Sequence, residues 1–407
     1  MFIVLNRQIL NYKHHNMNKQ ISVFCNELLK YVPRNTLDDF SGQLKSDKRS
    51  KSFSTWKTFI WLFIWEVLNV DSIRELTSIL NIYQSKLYHI GLGSLSRSTF
   101  SDRINKINPI IFQNVFYKLL QTVQRTTWWK INDSKIFAID STLISLTLTV
   151  FDRAKYRTRK GGIKVHTRLD IKDSLPDLLV ITEAKVHDNK IMEKLLKWVN
   201  AGDVLLFDRW YLDYKLLYKL EQRRITYVTR TKKTTNYCPI KSNEISHPKV
   251  QYDKICEFIS ESSFNKYPAP FRIVRYYVEE KDKEYEYITN NFDLPAEKIA
   301  ELYKKRREIE ELFRRLKQNL KIKQFFWTSR NAVENQIRVA MTYYLIVLLI
   351  KKKTNTQESL LELTRRFSTL LFERVNLLYV IGISSKKLRN ISCIIDPPPQ
   401  FSLFSYI

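Results

Sequence analysis

The chain is poor in cysteine, has no long apolar run and no excess of acid, and each shortage removes a class of protein. Its 407 residues hold four cysteines, Cys25, Cys238, Cys256 and Cys393, with no C-x-x-C pair. That spacing argues against a zinc module and a disulfide framework, and for a reducing, cytoplasmic setting. The most apolar stretch, Met341 to Ile350, is about half of the ~20 residues a membrane span needs. It reads as a buried core helix, and no membrane is expected. Met1 to Asn16 lacks both the apolar core of a signal peptide and any periodicity. Met17 is an alternative start, which would leave 1–16 as a non-native or disordered extension. No internal repeat is present.

What is abundant is positive charge: 68 basic against 41 acidic side chains, a net charge of +27. The basic residues recur along the whole chain. Such a field suits a polyanionic partner, most simply nucleic acid. A basic protein of another kind, such as a ribosome-associated one, has the same totals. Apolar content of 44% can fill a sizeable core, and the length suits two or three domains.

Patterning divides the chain into three. Residues 17–128 read as helical, with Phe24, Leu28 and Leu29 opening one amphipathic pattern and Trp56, Phe59, Ile60, Leu62 and Phe63 another. Trp56, Trp61 and Trp65 are expected in the core. A helix over Ser72–Leu80, a turn at Gly91-Leu92-Gly93 and a helix capped by Ser98-Thr99 and running to Ile107 suggest a helix-turn-helix that enters a DNA groove. Residues 129–330 then change to strand-like periods. Strands are predicted over Ile136–Asp140, Lys164–Ile171, Leu178–Thr182, Val204–Asp208 and Thr226–Thr229, with helices over Asn189–Val199 and Tyr214–Arg224. This is an α/β pattern, a mixed sheet with helices. A β-rich insertion follows at about 230–294, with a hairpin of Arg272–Glu279 and Glu284–Thr289. Residues 331–407 are helical from Ala332 to Val380, with an irregular tail at Pro397-Pro398-Pro399.

Within this frame three acids stand out. Asp140 and Asp208 each end a short apolar run, Ile136–Ile139 and Val204–Phe207, of the kind buried on both faces of a sheet. Carboxylates at the carboxyl ends of such strands face the crevice where open α/β sheets bind ligands. Glu310 lies in a helical pattern with Tyr303, Arg306 and Lys317. On one continuous helix, at ~100° per residue, these four fall within an arc of roughly 60° along ~21 Å. The apolar stripe of Leu302, Ile309, Leu312, Phe313, Leu316 and Leu320 borders that arc. Glu308 and Glu311 fall away from it, so the spacing selects Glu310.

The residue types suit phosphodiester chemistry. Bridging carboxylates can hold two divalent ions, which activate an attacking oxygen and stabilise a leaving one. Hard oxygen ligands suit Mg²⁺ or Mn²⁺. Arg306 and Lys317 can neutralise phosphates, and Tyr303 can donate to one. The competing reading of the same helix is a solvated charged face with surface ion pairs.

The series Tyr-x2-Arg-x3-Glu-x6-Lys resembles the Y-R-E-K signature of DDE transposases of the bacterial insertion-sequence four family. Ala138-Ile139-Asp140-Ser141-Thr142 is similar to the first-Asp motif of that family, and Asp208-Arg209-Trp210-Tyr211 to the second. Asn290-Asn291-Phe292-Asp293-Leu294-Pro295, with Ile299-Ala300-Glu301-Leu302-Tyr303, resembles the lead-in to the third acid. Ser52-Phe53-Ser54-Thr55-Trp56 and Ser94-Leu95-Ser96-Arg97-Ser98-Thr99 resemble the N-terminal region more loosely. The resemblance covers most of the chain from about Met17. It implies a ribonuclease-H-like core with a β-rich insertion before the final Glu. It also implies hydrolysis at transposon ends followed by attack of the 3′-hydroxyl on target DNA. Asp140, Asp208 and Glu310 would be metal ligands; Tyr303, Arg306 and Lys317 would contact and support DNA. Double-stranded DNA and a homodimer holding two ends are the implied partners, in a cytoplasmic, nucleoid-associated protein.

Two positions depart from the family pattern. Trp210 replaces a usual Gly and would crowd the site or stack on DNA; Arg307 replaces a frequent Trp. They motivate a rival reading, a DNA-binding remnant impaired in catalysis. A further rival is a ribonuclease-H-like nuclease without strand transfer. Among other candidates, Lys164 and His166 alternate on one strand face and are placed with Arg209 as DNA contacts. Asp188 is read as a helix N-cap. Asp170 and Glu183 are rival acids on neighbouring strands, Glu183 the stronger because it follows an apolar run. Cys238 and Cys256 are expected to be free thiols.

Overall fold

A computed structural model describes residues 23–48, 50, 53–94, 96–127, 134–145, 162–232, 234–319 and 329–382. The alternative start at Met17, Leu95, Leu320, Cys393 and the Pro397–Pro399 tail lie outside the described residues. The chain divides into two compact units, one of 1–119 with 335–407 and the other of 120–334.

The first unit is helical. The Thr55–Leu68 helix begins at Ser54, whose hydroxyl accepts from the Lys57 N–H. Its sequence is apolar on every side, the pattern of a helix inside a core, and Trp61 and Trp65 are both buried. Trp56 is half-buried, with the Arg34 guanidinium 5.0 Å from its ring. The Arg330–Thr354 helix is long and apolar enough to cross a membrane, but its apolar window is wholly buried in the protein.

The suggested helix-turn-helix is not formed. Between the Ile73–Ile82 and Arg97–Lys106 helices lie a helical turn, Gln84–Leu87, and a 3₁₀ turn, Tyr88–Ile90. A helix-turn-helix joins its helices by only about three or four residues. Gly91, at φ 71°, ends the 3₁₀ turn in the left-handed conformation that glycine adopts freely. The cap of the later helix is Ser96 rather than Ser98, because it is the Ser96 hydroxyl that accepts from the Thr99 N–H.

The second unit is built on one nine-stranded sheet. In chain order its strands are β1 (Ile136–Ser145), β2 (Gly162–Asp170), β3 (Leu175–Glu183), β4 (Val204–Phe207), β5 (Thr226–Arg230), β6 (Tyr237–Ser242), β7 (Val250–Phe258), β8 (Phe271–Val278) and β9 (Lys283–Thr289). Their order across the sheet is β3-β2-β1-β4-β5-β9-β8-β7-β6. β1, β2 and β3 pair antiparallel, while β1, β4 and β5 pair parallel. This half has the ribonuclease-H-like arrangement. The β-rich insertion, β6 to β9, continues the same sheet, since β9 pairs with β5. Phe137, Ala138, Ile139, Leu205, Leu206, Phe207, Tyr227 and Val228 are buried in the middle strands.

Two expectations about this unit change. β1 runs on to Ser145, so Asp140 sits within the strand, at the point where its parallel pairing with β4 stops at Ile139 and Phe207. The antiparallel partner β2 keeps β1 extended beyond that point. The stretch after Asp188 forms only a 3₁₀ turn to Ile191 and a helical turn, Met192–Leu195, in place of a full helix to Val199.

Candidate active site

Strand register aligns the first two acids. Ile139 pairs with Phe207 in parallel strands, so the next residues, Asp140 and Asp208, stand side by side at the β1–β4 edge. One strand further, Leu206 pairs with Val228, and the same count sets Arg230 beside Asp208. Arg230 Nη2 donates to Asp208 Oδ2 at 2.8 Å. Arg230 was not among the sequence candidates. The aspartates were marked by the apolar runs they end, whereas Arg230 is reached only by counting along the parallel register.

The third acid arrives on a pair of helices rather than one. Ala296–Lys304 ends, and Arg307–Asn319 begins, on either side of a turn at Lys305 and Arg306. There the backbone bonds shorten to the i−3 pattern: Arg306 N–H to Tyr303 O, Glu308 N–H to Lys305 O, Ile309 N–H to Arg306 O. The continuous-helix wheel therefore does not carry from Tyr303 to Lys317. The tighter turn directs Arg306 inward, where it is buried. The start of the pair is fixed by Arg272, which forms a two-point ion pair with Asp253 and donates to the carbonyls of Asn291 and Leu294.

Arg306 gathers the three acids. Its Nη1 donates to Asp140 Oδ2 at 2.8 Å, its Nη2 bonds Glu310 Oε1, and Asp208 Oδ2 lies 3.8 Å from Nη2. Burial works against the Arg306 charge, but Tyr303, Asp140, Glu310 and Asp208 outweigh it and raise its pKa. Burial pushes the Asp140 carboxyl up to about 6; Arg306 and the Ser141 N–H oppose this, while Asp208 and Glu310 add to it. The Glu310 side chain is half-exposed. As placed, the acids meet through the guanidinium: among the described residues no three His, Cys, Asp or Glu side chains form a ready-made metal cluster.

The remaining candidates fall in three settings. Tyr303 is buried, its ring 5.0 Å from that of Tyr287 and close to the guanidiniums of Arg230 and Arg306. It supports the arginines from inside and is not a surface donor to phosphate. Lys317 lies on the second helix, two turns past Glu310, half-buried. Arg209 follows Asp208 in a 3₁₀ turn, its guanidinium 5.9 Å from the Trp210 ring. Trp210 is 70% exposed and so does not crowd the acids. Arg307 is also exposed and pairs with Glu280.

His166 is not a phosphate contact. Its ring is fully buried, between Tyr211 Oη at 3.3 Å and Thr182 Oγ1 at 3.0 Å, and burial lowers its pKa to about 4. Lys164, on the same strand face, is turned to Asp188. Asp188 does not cap a helix, because its carboxylate is taken by Ser141 and Lys164. Of the rival acids, Asp170 pairs opposite Phe137, three residues before Asp140 near the start of β1, and lies 3.9 Å from Lys135. Glu183 is exposed and pairs with Lys185. Neither joins the cluster. Cys238 and Cys256 are free thiols, as is Cys25.

The fold and this cluster define a ribonuclease-H-like α/β protein with acids at the edge of its central parallel strands. Residues 131–346 match the family model described as "Transposase DDE domain", and the chain belongs to that family. Residues 19–93 match a second model, a domain of unknown function. The chain is 28% identical over 285 residues to a probable transposase for insertion sequence element IS5377 of Geobacillus stearothermophilus, covering 68% of this chain and 74% of the relative. It is 30% identical over 266 residues to the putative transposase y4zB of Sinorhizobium fredii, covering 64% and 69%. It is 25% identical over 343 residues to a putative transposase for insertion sequence element IS4SA of Synechocystis, covering 82% and 93%. Among solved structures, a chain of the piggyBac transposase synaptic complex with hairpin DNA is similar over 92% of this chain and 83% of its own, at 15% identity and a TM-score of 0.46. The protein is a DNA transposase of the bacterial insertion-sequence type.

Proposed function

We propose that this transposase binds the ends of its own element, cleaves phosphodiester bonds there and joins the freed 3′-hydroxyls to target DNA. The observation that carries the reading is the meeting of Asp140, Asp208 and Glu310 on one guanidinium, two of them side by side at parallel strand ends. The Y-R-E-K signature of the insertion-sequence four family supports the same reading, with Glu310 as the third ligand, Tyr303 and Arg306 as its support and Lys317 toward DNA.

Asp140, Asp208 and Glu310 would hold Mg²⁺, for which Mn²⁺ can substitute. The donor set fits: all of it is carboxylate oxygen, the type hard divalent ions take. Burial is the main cause of the raised Asp140 pKa, with Asp208 and Glu310 adding to it against Arg306, so an ion bound there would favour the charged carboxylate. Two divalent ions, when bound, would supply activation of the attacking oxygen and stabilisation of the leaving one. The protein's own part is placement. β1 and β4 fix two carboxylates, the second helix of the pair presents the third, and Arg306 and Arg230 hold them against mutual repulsion. Lys317, Arg209 and the overall positive charge would receive the phosphate backbone, whose contacts position DNA. Two copies acting together would hold two ends, in the cytoplasm on the nucleoid.

The test is cleavage of terminal-repeat DNA by the purified protein with Mg²⁺. Asp140→Ala, Asp208→Ala and Glu310→Ala should each abolish cutting and joining while still binding end DNA. If all three cut as well as the parent, the assignment is wrong.

A further inference from the structure

Behind the acids lies a second polar cluster for which the proposed chemistry has no use. At its centre is Asp188. Its Oδ1 accepts from Ser141 Oγ at 3.1 Å, and Lys164 Nζ and His166 Nδ1 lie 3.1 and 3.5 Å from the same oxygen. Lys164 also donates to the Val186 carbonyl at 3.2 Å, so the loop before Asp188 is held as well. His166 reaches on to the Tyr211 hydroxyl. The side chains of Lys164 and Asp188 are less than one-fifth exposed, and His166 and Tyr211 are fully buried.

Both ends of this web touch the segments that follow the acids. Ser141 is the residue after Asp140, and its N–H donates to Asp140 Oδ1 at 2.8 Å. Tyr211 closes the turn that Asp208 opens, its N–H donating to the Asp208 carbonyl at 2.9 Å, and its hydroxyl also faces Ser141. A carboxylate less than one-fifth exposed is costly to desolvate unless it keeps partners such as these. The arrangement is therefore stiff, and it spans the gap between the first acid and the second.

We infer that Asp188 is a positioning residue that sets the separation of Asp140 and Asp208, by tying the Ser141 end of one, through the His166 ring, to the Tyr211 turn of the other. The inference rests on the reading of those two aspartates as metal ligands. Outer partners that orient metal ligands typically matter by about 10–100-fold in metal affinity when removed.

The test is direct Mn²⁺ binding by the full chain, followed by electron paramagnetic resonance, beside end-DNA binding in EDTA. Asp188→Ala should weaken Mn²⁺ binding roughly tenfold or more and leave end-DNA binding unchanged. Asp188→Asn keeps an oxygen for Ser141 and should recover most of that loss. In cleavage assays, excess Mn²⁺ should restore the rate of Asp188→Ala. A merely structural role would lower thermal stability in these variants without moving Mn²⁺ affinity. Should Asp188→Ala fail to fold, Ser141→Ala and Tyr211→Phe each remove one link of the web and should each weaken Mn²⁺ binding severalfold. Unchanged Mn²⁺ affinity in every folded variant overturns the inference. If Asp140→Ala abolishes Mn²⁺ binding while these variants keep it, only the role of Asp188 falls. If the parent binds no Mn²⁺, or Asp140→Ala and Asp208→Ala bind it like the parent, the ligand assignment falls too.

Discussion

Arg230 and Asp208 form an ion pair of 2.8 Å across the ends of two parallel strands. The β1–β4 and β4–β5 registers set Asp140, Asp208 and Arg230 in one row. The guanidinium also lies 5.5 Å from the ring of Tyr285 and 5.8 Å from that of Tyr303. It thus joins the row to the insertion hairpin on one side and to the helix pair on the other.

Removing Arg230 should therefore do more than delete a surface charge. Arg230→Ala leaves Asp208 with one fewer hydrogen bond and frees Tyr303 on one face. Cleavage of end DNA at subsaturating Mg²⁺ is expected to fall by about 10–100-fold. Arg230→Lys keeps the charge but not the planar fork, and should recover only part of the loss. Cleavage rates of the three proteins across a Mg²⁺ series decide the matter; equal rates would remove Arg230 from the site.

Asp140 carries a stability cost that can be measured without DNA. Its folded-state pKa, near 6, lies above the ordinary value of 3.8. The folded state therefore holds a proton that the unfolded chain has released, and stability contributed below pH 4 is lost as pH rises through 6. Asp140→Asn fixes the neutral form. In EDTA at pH 8 it should be more stable than the parent by up to about 3 kcal/mol, with the gain vanishing below pH 4. Urea unfolding at both pH values tests this, and a variant less stable at pH 8 than the parent would contradict it. The same substitution should end cleavage, a trade of stability against function.

The parts of this site that were legible in the sequence are those set by short-range pattern. Apolar runs ending in acid marked Asp140 and Asp208 because burial on both sheet faces leaves no polar position until the parallel pairing of β1 and β4 stops. What escaped notice depends on contacts between distant segments. Arg230 needed the order of strands, since nothing local distinguishes it from other strand-end bases. Asp188 looked like a cap because capping is a local motif, yet its partners Ser141 and Lys164 come from other strands. His166 alternated correctly with Lys164, but alternation gives a face and not its cover, and Tyr211 covers it. The turn at Arg306 was hidden because Lys305, Arg306 and Arg307 are all good helix formers. The ion pairs with Asp140 and Glu310 accompany that break, and no propensity reports them.

Trp210 tests whether the departure from the family pattern matters. Its side chain stands 70% exposed, and its N–H donates to Asp208 Oδ1 at 3.3 Å. That bond comes from the backbone and survives substitution. Trp210→Gly should change stability by no more than about 0.5–1 kcal/mol, the range of a surface change plus the added backbone freedom of glycine. Mn²⁺ affinity should stay within about twofold of the parent. A large rise in affinity on substitution would mean that the indole does obstruct the acids.

Arg306 is the cation that the three acids share, and its removal separates two effects. Without metal, Arg306→Ala leaves Asp140, Asp208 and Glu310 facing one another with only Arg230 for relief. Removing one partner of a buried ion pair costs about 3–5 kcal/mol; Asp140 is the largely buried partner here, while Asp208 keeps Arg230 and Glu310 is half-exposed. A large drop in thermal midpoint in EDTA is therefore expected. With Mn²⁺ the order changes. In the parent an arriving ion competes with the guanidinium for the same oxygens; in the variant it does not. Ligand stabilisation grows with the logarithm of concentration over dissociation constant, so a tighter site gives a larger shift at equal Mn²⁺. Arg306→Ala should therefore regain more stability from Mn²⁺ than the parent gains. Cleavage should still be lost, since the residue that holds the acids in register is gone. An identical Mn²⁺ shift in both proteins, by differential scanning fluorimetry over the same titration, would show that metal and guanidinium do not compete.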